Sequence, residues 1–311
     1  MINPGLKAID RIHDNLPVDL KARMREHILP EEVHQEILKN IKRASYEGKS
    51  PVEKPKFIMV VGQTGSGKSN LTASLCAKDS NLVVIDSDKY KGFRPDSEEI
   101  QRNHQTEYAF LTAPDSYWHR DQMIVDAISK KYNILMECAT SQKEGLFIDI
   151  SELIKEGYEV EICVLGVSAL NSLLSVHERY EDLLEHSSSS AKLTGVARHD
   201  DSFKSLNTAI KDVQNMRGVK VNVYERGKEP PYFPKQIYSS TSDERRYSCA
   251  LEALIDAQSR DEKMILQGFE ERVKAVEEKM RRRQAPKTQL EQLAVVQERY
   301  EEKITENIKE D

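Results

Sequence analysis

Residues 57–72 read FIMVVGQTGSGKSNLT: five apolar residues, a glycine-rich turn, then a lysine, a serine and the start of a helix. Within this stretch Gly62–Ser69, GQTGSGKS, fulfils the phosphate-loop pattern G-x-x-x-x-G-K-[ST]. The residue types have physical reasons. Gly62, Gly65 and Gly67 let the backbone turn tightly and aim successive N–H groups at a phosphate chain. A helix starting near Lys68 adds the positive end of its dipole. Lys68 is a point charge for the β and γ phosphates, and the Ser69 hydroxyl is a ligand for a Mg²⁺ that bridges them. The stretch predicts a site for a nucleoside triphosphate made by Gly62, Gln63, Thr64, Gly65, Ser66, Gly67, Lys68, Ser69 and Asn70.

The chain around it alternates strand and helix patterns. Leu82–Ile85 is a continuous apolar run of the kind that a parallel strand buried on both faces requires, and it ends in Asp86 and Asp88. Residues 98–130 read helical and carry Asp121; YNILMEC, 132–138, is a third strand whose end holds a carboxylate, Glu137. A helix closed by Gly157 follows, then a strand over 158–166, then a helix over 168–185 with Ser168 as N-cap and Arg179 on its length. A serine run at 187–190, a helix over 203–216, a strand over 219–224 and a proline-containing hairpin complete the pattern. This order predicts an α/β fold, a phosphate-loop NTPase-type parallel sheet with helices on both faces. Ligands of such sheets bind beyond the carboxyl ends of the strands, which places Asp88 and Glu137 beside the triphosphate.

Helical patterns also flank this core. Residues 18–47 predict helices that pack on it, and residues 44–55 a linker. Beyond about residue 243 charged residues dominate, with apolar positions at helical spacing: Leu251, Leu254, Ile255; Phe269, Val273, Val276, Met280; Leu290, Leu293, Val296, Tyr300. The expected organisation is a helical N-terminal extension (1–50), a phosphate-loop kinase domain (51–242) and a charged helical C-terminal extension (243–311).

Composition narrows the function. Among 311 residues, 46 Lys and Arg stand against 52 Asp and Glu, a formal net charge of −6. That disfavours a nucleic-acid partner spread over the surface. No run approaches the roughly 18 apolar residues of a membrane span, and MINPGLKAIDRIHDNL lacks the blocks of a secretory signal, so the expected location is the cytoplasm. The four cysteines, Cys76, Cys138, Cys163 and Cys249, form no C-x-x-C pair, and a reduced, packed thiol is the expectation for Cys138 and Cys163. Neither an N/T-K-x-D nor a D-x-x-G signature is present, which disfavours a GTPase.

The order GQTGSGKS, VVIDSD, YNILMEC, SALNSLLSVHERYEDLL, AKLT, ARHD and VNVYERG, over residues 57–240, resembles the zeta toxin family of phosphate-loop kinases. That resemblance implies an ATP- and Mg²⁺-dependent kinase of UDP-N-acetylglucosamine, a nucleotide sugar, with a small antitoxin protein as partner. It implies Asp88 as base for the sugar hydroxyl, Glu137 as a metal and substrate ligand, Arg179 and Lys192 as cations on the transferring phosphate, and Asp121 with Thr140 as substrate contacts. The sequence departs from the family where Cys138, Ala139 and Thr140 follow Glu137 in place of Gly-Thr, and where lysine at 192 replaces an arginine fork. Two alternatives stay open: a kinase of another hydroxyl (a nucleoside, a nucleic-acid end or an antibiotic), and a nucleotide-binding interaction protein without catalysis.

Overall fold

The structure is a computed structural model that describes residues 17–104, 107–138, 150–186, 191, 193–227, 233–243 and 246–310. The described strands are β1 (Lys56–Val61), β2 (Leu82–Ile85), β3 (Asn133–Cys138), β4 (Glu159–Gly166), β5 (Val219–Glu225) and β6 (Lys235–Ser239). They form one sheet in the order β2-β3-β1-β4-β5-β6. Every pairing is parallel except β5 with the edge strand β6.

Strand β1 lies at the centre, and its period-two alternation divides the core. Phe57, Met59 and Val61 face one buried cluster, Ile58 and Val60 the other. The first cluster is covered by α2 (Glu31–Tyr46) through Ile37, Leu38 and Ile41, and by α7 (Ala113–Ser129) through Met123, Ile124 and Ala127. It also takes Leu206 and Ile210 of α10 (Val196–Val213) and Ala250, Ala253 and Leu254 of α11 (Ala250–Ile265). The second cluster is covered by α3 (Lys68–Lys78) through Leu71 and Leu75. Each such large apolar side chain stabilises the fold by about 1.5–3 kcal/mol on burial.

Three short helices, α4 (Ser87–Tyr90), α5 (Ser97–Asn103) and α6 (Tyr108–Leu111), lie between β2 and α7; α5 and α6 share a small core with Met24 of α1 (Val18–Glu26). The remaining helices are α8 (Ile150–Lys155), α9 (Ala169–Glu185), α12 (Phe269–Arg282) and α13 (Lys287–Glu310). The predicted heptad-like apolar residues Phe269, Val273, Val276, Met280, Leu293 and Val296 all bury against Leu170, Leu173 and Leu174 of α9. The helices after residue 243 thus pack on the kinase sheet and on α9. Ile255 and Leu290, in the same spacing, instead lie 50% and 45% exposed.

Helix α10 begins at Val196, seven residues before the expected Phe203, so that ARHD forms its first turn. The polar H-D-D there masks an amphipathic face on which His199, Ser202 and Leu206 are buried. The hairpin-like segment supplies β6, which pairs antiparallel with a bulge at Val223/Tyr224.

Candidate active site

The chain passes from β1 to α3 through the phosphate loop. Gly65 and Gly67 adopt φ of +82° and +93°, the left-handed region that favours glycine. Gly65 is required twice over, because a Cβ there would stand 2.0 Å from the Ser172 carbonyl oxygen. The loop is therefore seated backbone to backbone on the first turns of α9. The Gln63 side chain is fully buried and donates to Val167 O at 2.7 Å and Ser172 Oγ at 3.1 Å. It anchors the loop against the start of α9. Lys68 Nζ donates to the carbonyls of Gly62 at 2.9 Å and Gln63 at 3.0 Å. Burial lowers its proton affinity and Glu137 raises it; Arg179 and Asp88 also act on it, with opposite signs. Ser69 and Asn70 are exposed at the start of α3, and Thr64 is half-buried.

The fold brings these charges together around the loop. Glu137 pairs in register with Val60 and Cys138 with Val61, so the end of β3 adjoins the first residue of the loop. Asp88 arrives from the end of β2, where Asp86 Oδ1 accepts the Asp88 N–H at 2.9 Å and caps α4. Arg179 arrives exposed on α9. Lys68, Asp88, Glu137 and Arg179 are thus brought to one place. Lys192 and Thr140 lie outside the described residues.

Several polar residues escaped the sequence reading. Lys91 is buried with its ammonium 2.5 Å from Asp88 Oδ1. Burial would push Lys91 down, but the Asp88 carboxylate outweighs it and holds the ammonium above its ordinary range. The i,i+3 spacing in DKYK was the available signal. Asp121 accepts from Arg120 Nε at 2.9 Å and Nη2 at 2.7 Å, and the guanidinium lies 4.9 Å from the centre of the Tyr117 ring. Burial pushes the Cys138 thiol up to about 12, against the opposing pull of Arg120 and Lys68. Arg120 therefore stands beside the end of β3, and Asp121 serves it as an ion-pair partner. On the opposite flank Arg226, just after β5, donates from Nη1 to Ser175 Oγ at 2.9 Å, with Nε 4.0 Å from where a Gly67 Cβ would be.

Helix α9 is itself held from the C-terminal side. Asp261 on α11 accepts from Ser168 N and Oγ, each at 2.8 Å, and from Asn171 Nδ2 at 3.0 Å. A carboxylate at a helix N-terminus satisfies otherwise unpaired N–H groups and opposes the dipole. Ser168 also accepts the Asn171 N–H, as the N-cap reading required.

The residues fit a magnesium triphosphate. Among the described residues no three His, Cys, Asp or Glu side chains could hold a metal by themselves. Mg²⁺ characteristically uses one or two protein oxygens together with substrate phosphates, and Ser69 and Glu137 offer hard oxygen donors of that kind.

Comparison with known proteins agrees with this architecture. The sequence model of the zeta toxin family matches residues 39–237. A toxin zeta of Enterococcus hirae is 26% identical over 255 residues, covering 77% of this chain and 87% of that protein. Toxin PezT of Streptococcus pneumoniae is 25% identical over 240 residues, covering 76% of this chain and 92% of that protein. A solved structure from the PezAT chromosomal toxin–antitoxin system of Streptococcus pneumoniae superposes with a TM-score of 0.68 at 20% identity, covering 80% of this chain and 98% of that one.

Proposed function

The chain belongs to the zeta toxin family, and on that premise we propose that it transfers the γ-phosphate of ATP to a hydroxyl of UDP-N-acetylglucosamine, acting as the toxin of a toxin–antitoxin pair. The observation that carries this reading is the convergence of Asp88, Glu137 and Arg179 on Lys68 at the carboxyl edge of the sheet. A nucleotide switch needs the loop and its lysine. It has no use for a carboxylate and a further guanidinium beside the terminal phosphate.

In this reading the loop N–H groups and Lys68 hold the triphosphate, with Ser69 and Glu137 holding Mg²⁺, which supplies positive charge to the phosphate oxygens. Asp88 accepts the proton of the attacking hydroxyl, so that the oxygen attacks in line as the bond to the leaving diphosphate breaks. Lys91 fixes the orientation of that carboxylate. Arg179 and Lys192 take up charge on the transferring group. Arg120, held by Asp121, serves the acceptor, whose diphosphate suits a guanidinium, and the family resemblance adds Thr140 as a substrate contact.

A second reading has its own support. The resemblance implies glycine where Cys138 stands, and here a buried cysteine directly follows Glu137; this favours a different hydroxyl acceptor. No helix among the described residues is long and apolar enough to cross a membrane, and we place the reaction in the cytoplasm, where ATP and nucleotide sugars are made. Incubating the purified protein with Mg²⁺, labelled ATP and a panel of nucleotide sugars, nucleosides, oligonucleotide ends and aminoglycosides decides the acceptor. Labelled UDP-N-acetylglucosamine is the expected product. Label on another acceptor alone replaces the proposed substrate, and label on none reduces the reading to nucleotide binding. Expression in bacteria is expected to arrest growth for the wild type and not for Lys68→Ala.

A further inference from the structure

A chain of polar contacts runs from the phosphate loop to the last helix. Gln63 Nε2 lies 3.1 Å from Ser172 Oγ, Ser172 Oγ 2.8 Å from His199 Nε2, and His199 Nδ1 3.2 Å from Asp200 Oδ1. Asp200 in turn receives both terminal nitrogens of Arg299, at 2.8 and 2.7 Å. Gln63, Ser172 and His199 are completely buried. A Ser-His-Asp order invites comparison with a hydrolytic triad, but no acyl donor can reach a hydroxyl with no exposed surface.

Burial and the hydrogen bond with Asp200 act in opposite directions on His199, and burial prevails, leaving the imidazole neutral. Arg299 holds the Asp200 carboxyl below its ordinary range, so the carboxylate accepts from Nδ1–H and selects that tautomer. Nε2 is then an acceptor facing the Ser172 hydroxyl, whose one proton is shared between it and the Ser168 and Ala169 carbonyls at 2.7 and 3.1 Å. The oxygen of that hydroxyl is left to accept from the Gln63 amide, which also donates to Val167 O. Gln63 lies in the loop itself, and Ser172 is the residue whose carbonyl abuts Gly65. A path of polar contacts therefore connects a guanidinium on α13 to the residues against which the loop backbone is seated.

We propose that Arg299 is a positioning residue for ATP binding, acting through Asp200, His199 and Ser172 on Gln63, so that the C-terminal helix tunes the phosphate loop from outside the site. This rests on the phosphate loop binding ATP and is independent of which acceptor is phosphorylated. Arg299 is only partly buried, so Arg299→Met leaves the core intact.

The test measures Mg²⁺-ATP affinity by calorimetry on the full chain for the wild type, Arg299→Met, Arg299→Lys and Lys303→Met. Lys303 also lies on α13 and pairs with Glu262 of α11 at 3.7 Å, but makes no contact with the relay. Arg299→Met is expected to weaken ATP binding about fivefold, Arg299→Lys to recover part of the loss, and Lys303→Met to leave affinity unchanged at comparable thermal stability. Where acceptor turnover is measurable, KM for ATP rises and kcat at saturating ATP stays. Equal affinities for Arg299→Met and wild type, or an equal loss in Lys303→Met, overturn the inference. A wild type that binds ATP and shows the Arg299 effect but phosphorylates no nucleotide sugar leaves the inference standing and removes the proposed acceptor.

Discussion

The two flanks of the phosphate loop are built differently. On the β4 and α9 side the loop rests on backbone: Gly65 against the Ser172 carbonyl, Gln63 tied to Val167 and Ser172, Asp261 capping α9 from below. On the β2 and β3 side the chemistry hangs on ion pairs between side chains, Asp88 with Lys91 and Arg120 with Asp121. The first flank is rigid because removing any of its contacts leaves a buried polar group unpaired. The second pairs exposed carboxylates, Asp88 and Asp121, with largely buried cations, so the acids stand toward solvent where a ligand can meet them. A triphosphate is the same in every ATP-dependent enzyme, whereas acceptors differ. The rigid flank suits the constant ligand and the adjustable flank the variable one.

That division makes separable predictions. Lys68→Ala removes the cation nearest the β and γ phosphates, and phosphoryl transfer should fall by about 10⁴-fold, with ATP affinity falling as well. Gly65→Ala should mimic the loss of ATP affinity without touching any charge, because the loop can no longer seat on Ser172. Asp88→Asn should reduce transfer by about 10³-fold with ATP affinity unchanged, and lower thermal stability modestly because buried Lys91 loses its counter-charge. ATP titrations of the Asp88 variant check the division: a loss of ATP affinity matching that of Gly65→Ala would show that the flanks are one unit. Lys91→Met should cost about tenfold in kcat/KM, since Asp88 loses its orienting partner and not its own charge; an unchanged value would show that Asp88 is oriented from elsewhere.

The same contrast explains what could be read from the sequence. The loop, the strands and Ser168 as a cap are local patterns, in which a residue's role depends on neighbours a few positions away, and the structure places each where the pattern put it. Asp86 as cap of α4 and Asp88 one turn on are local in the same sense. Lys91 was legible only in part: its spacing from Asp88 is helical, but a lysine in DKYKG reads as exposed until the fold buries it. Arg120, Arg226 and the path to Arg299 were not legible. Each depends on contacts across tens of residues, between elements whose relative placement no periodicity reveals. The polar start of α10 hid its amphipathic face for a related reason, because His199 is buried by pairing with Ser172 and Asp200 and not by being apolar.

Acid should act on the rigid flank. His177, on α9 two residues before Arg179, is buried, and neither ring nitrogen has a hydrogen-bond partner among the described residues. Burial alone pushes its imidazole down to about 4. In the unfolded chain the ring titrates near its ordinary value of about 6.5. Between those values the unfolded state binds a proton that the folded state refuses, so stability present above pH about 6.5 is lost as pH falls toward 4. The loss reaches about 2 kcal/mol at pH 5. His177→Leu, which keeps the site apolar and removes the titration, should flatten this part of the pH–stability curve in urea unfolding followed by fluorescence. Since α9 carries both the seat for Gly65 and Arg179, ATP affinity in the wild type should weaken over the same window as this flank loosens, and the leucine variant should resist it. A His177→Leu curve that falls between pH 6.5 and 4 as steeply as the wild type would show that another buried histidine, such as His199 beside Ser172 or His119 on α7, yields first to acid.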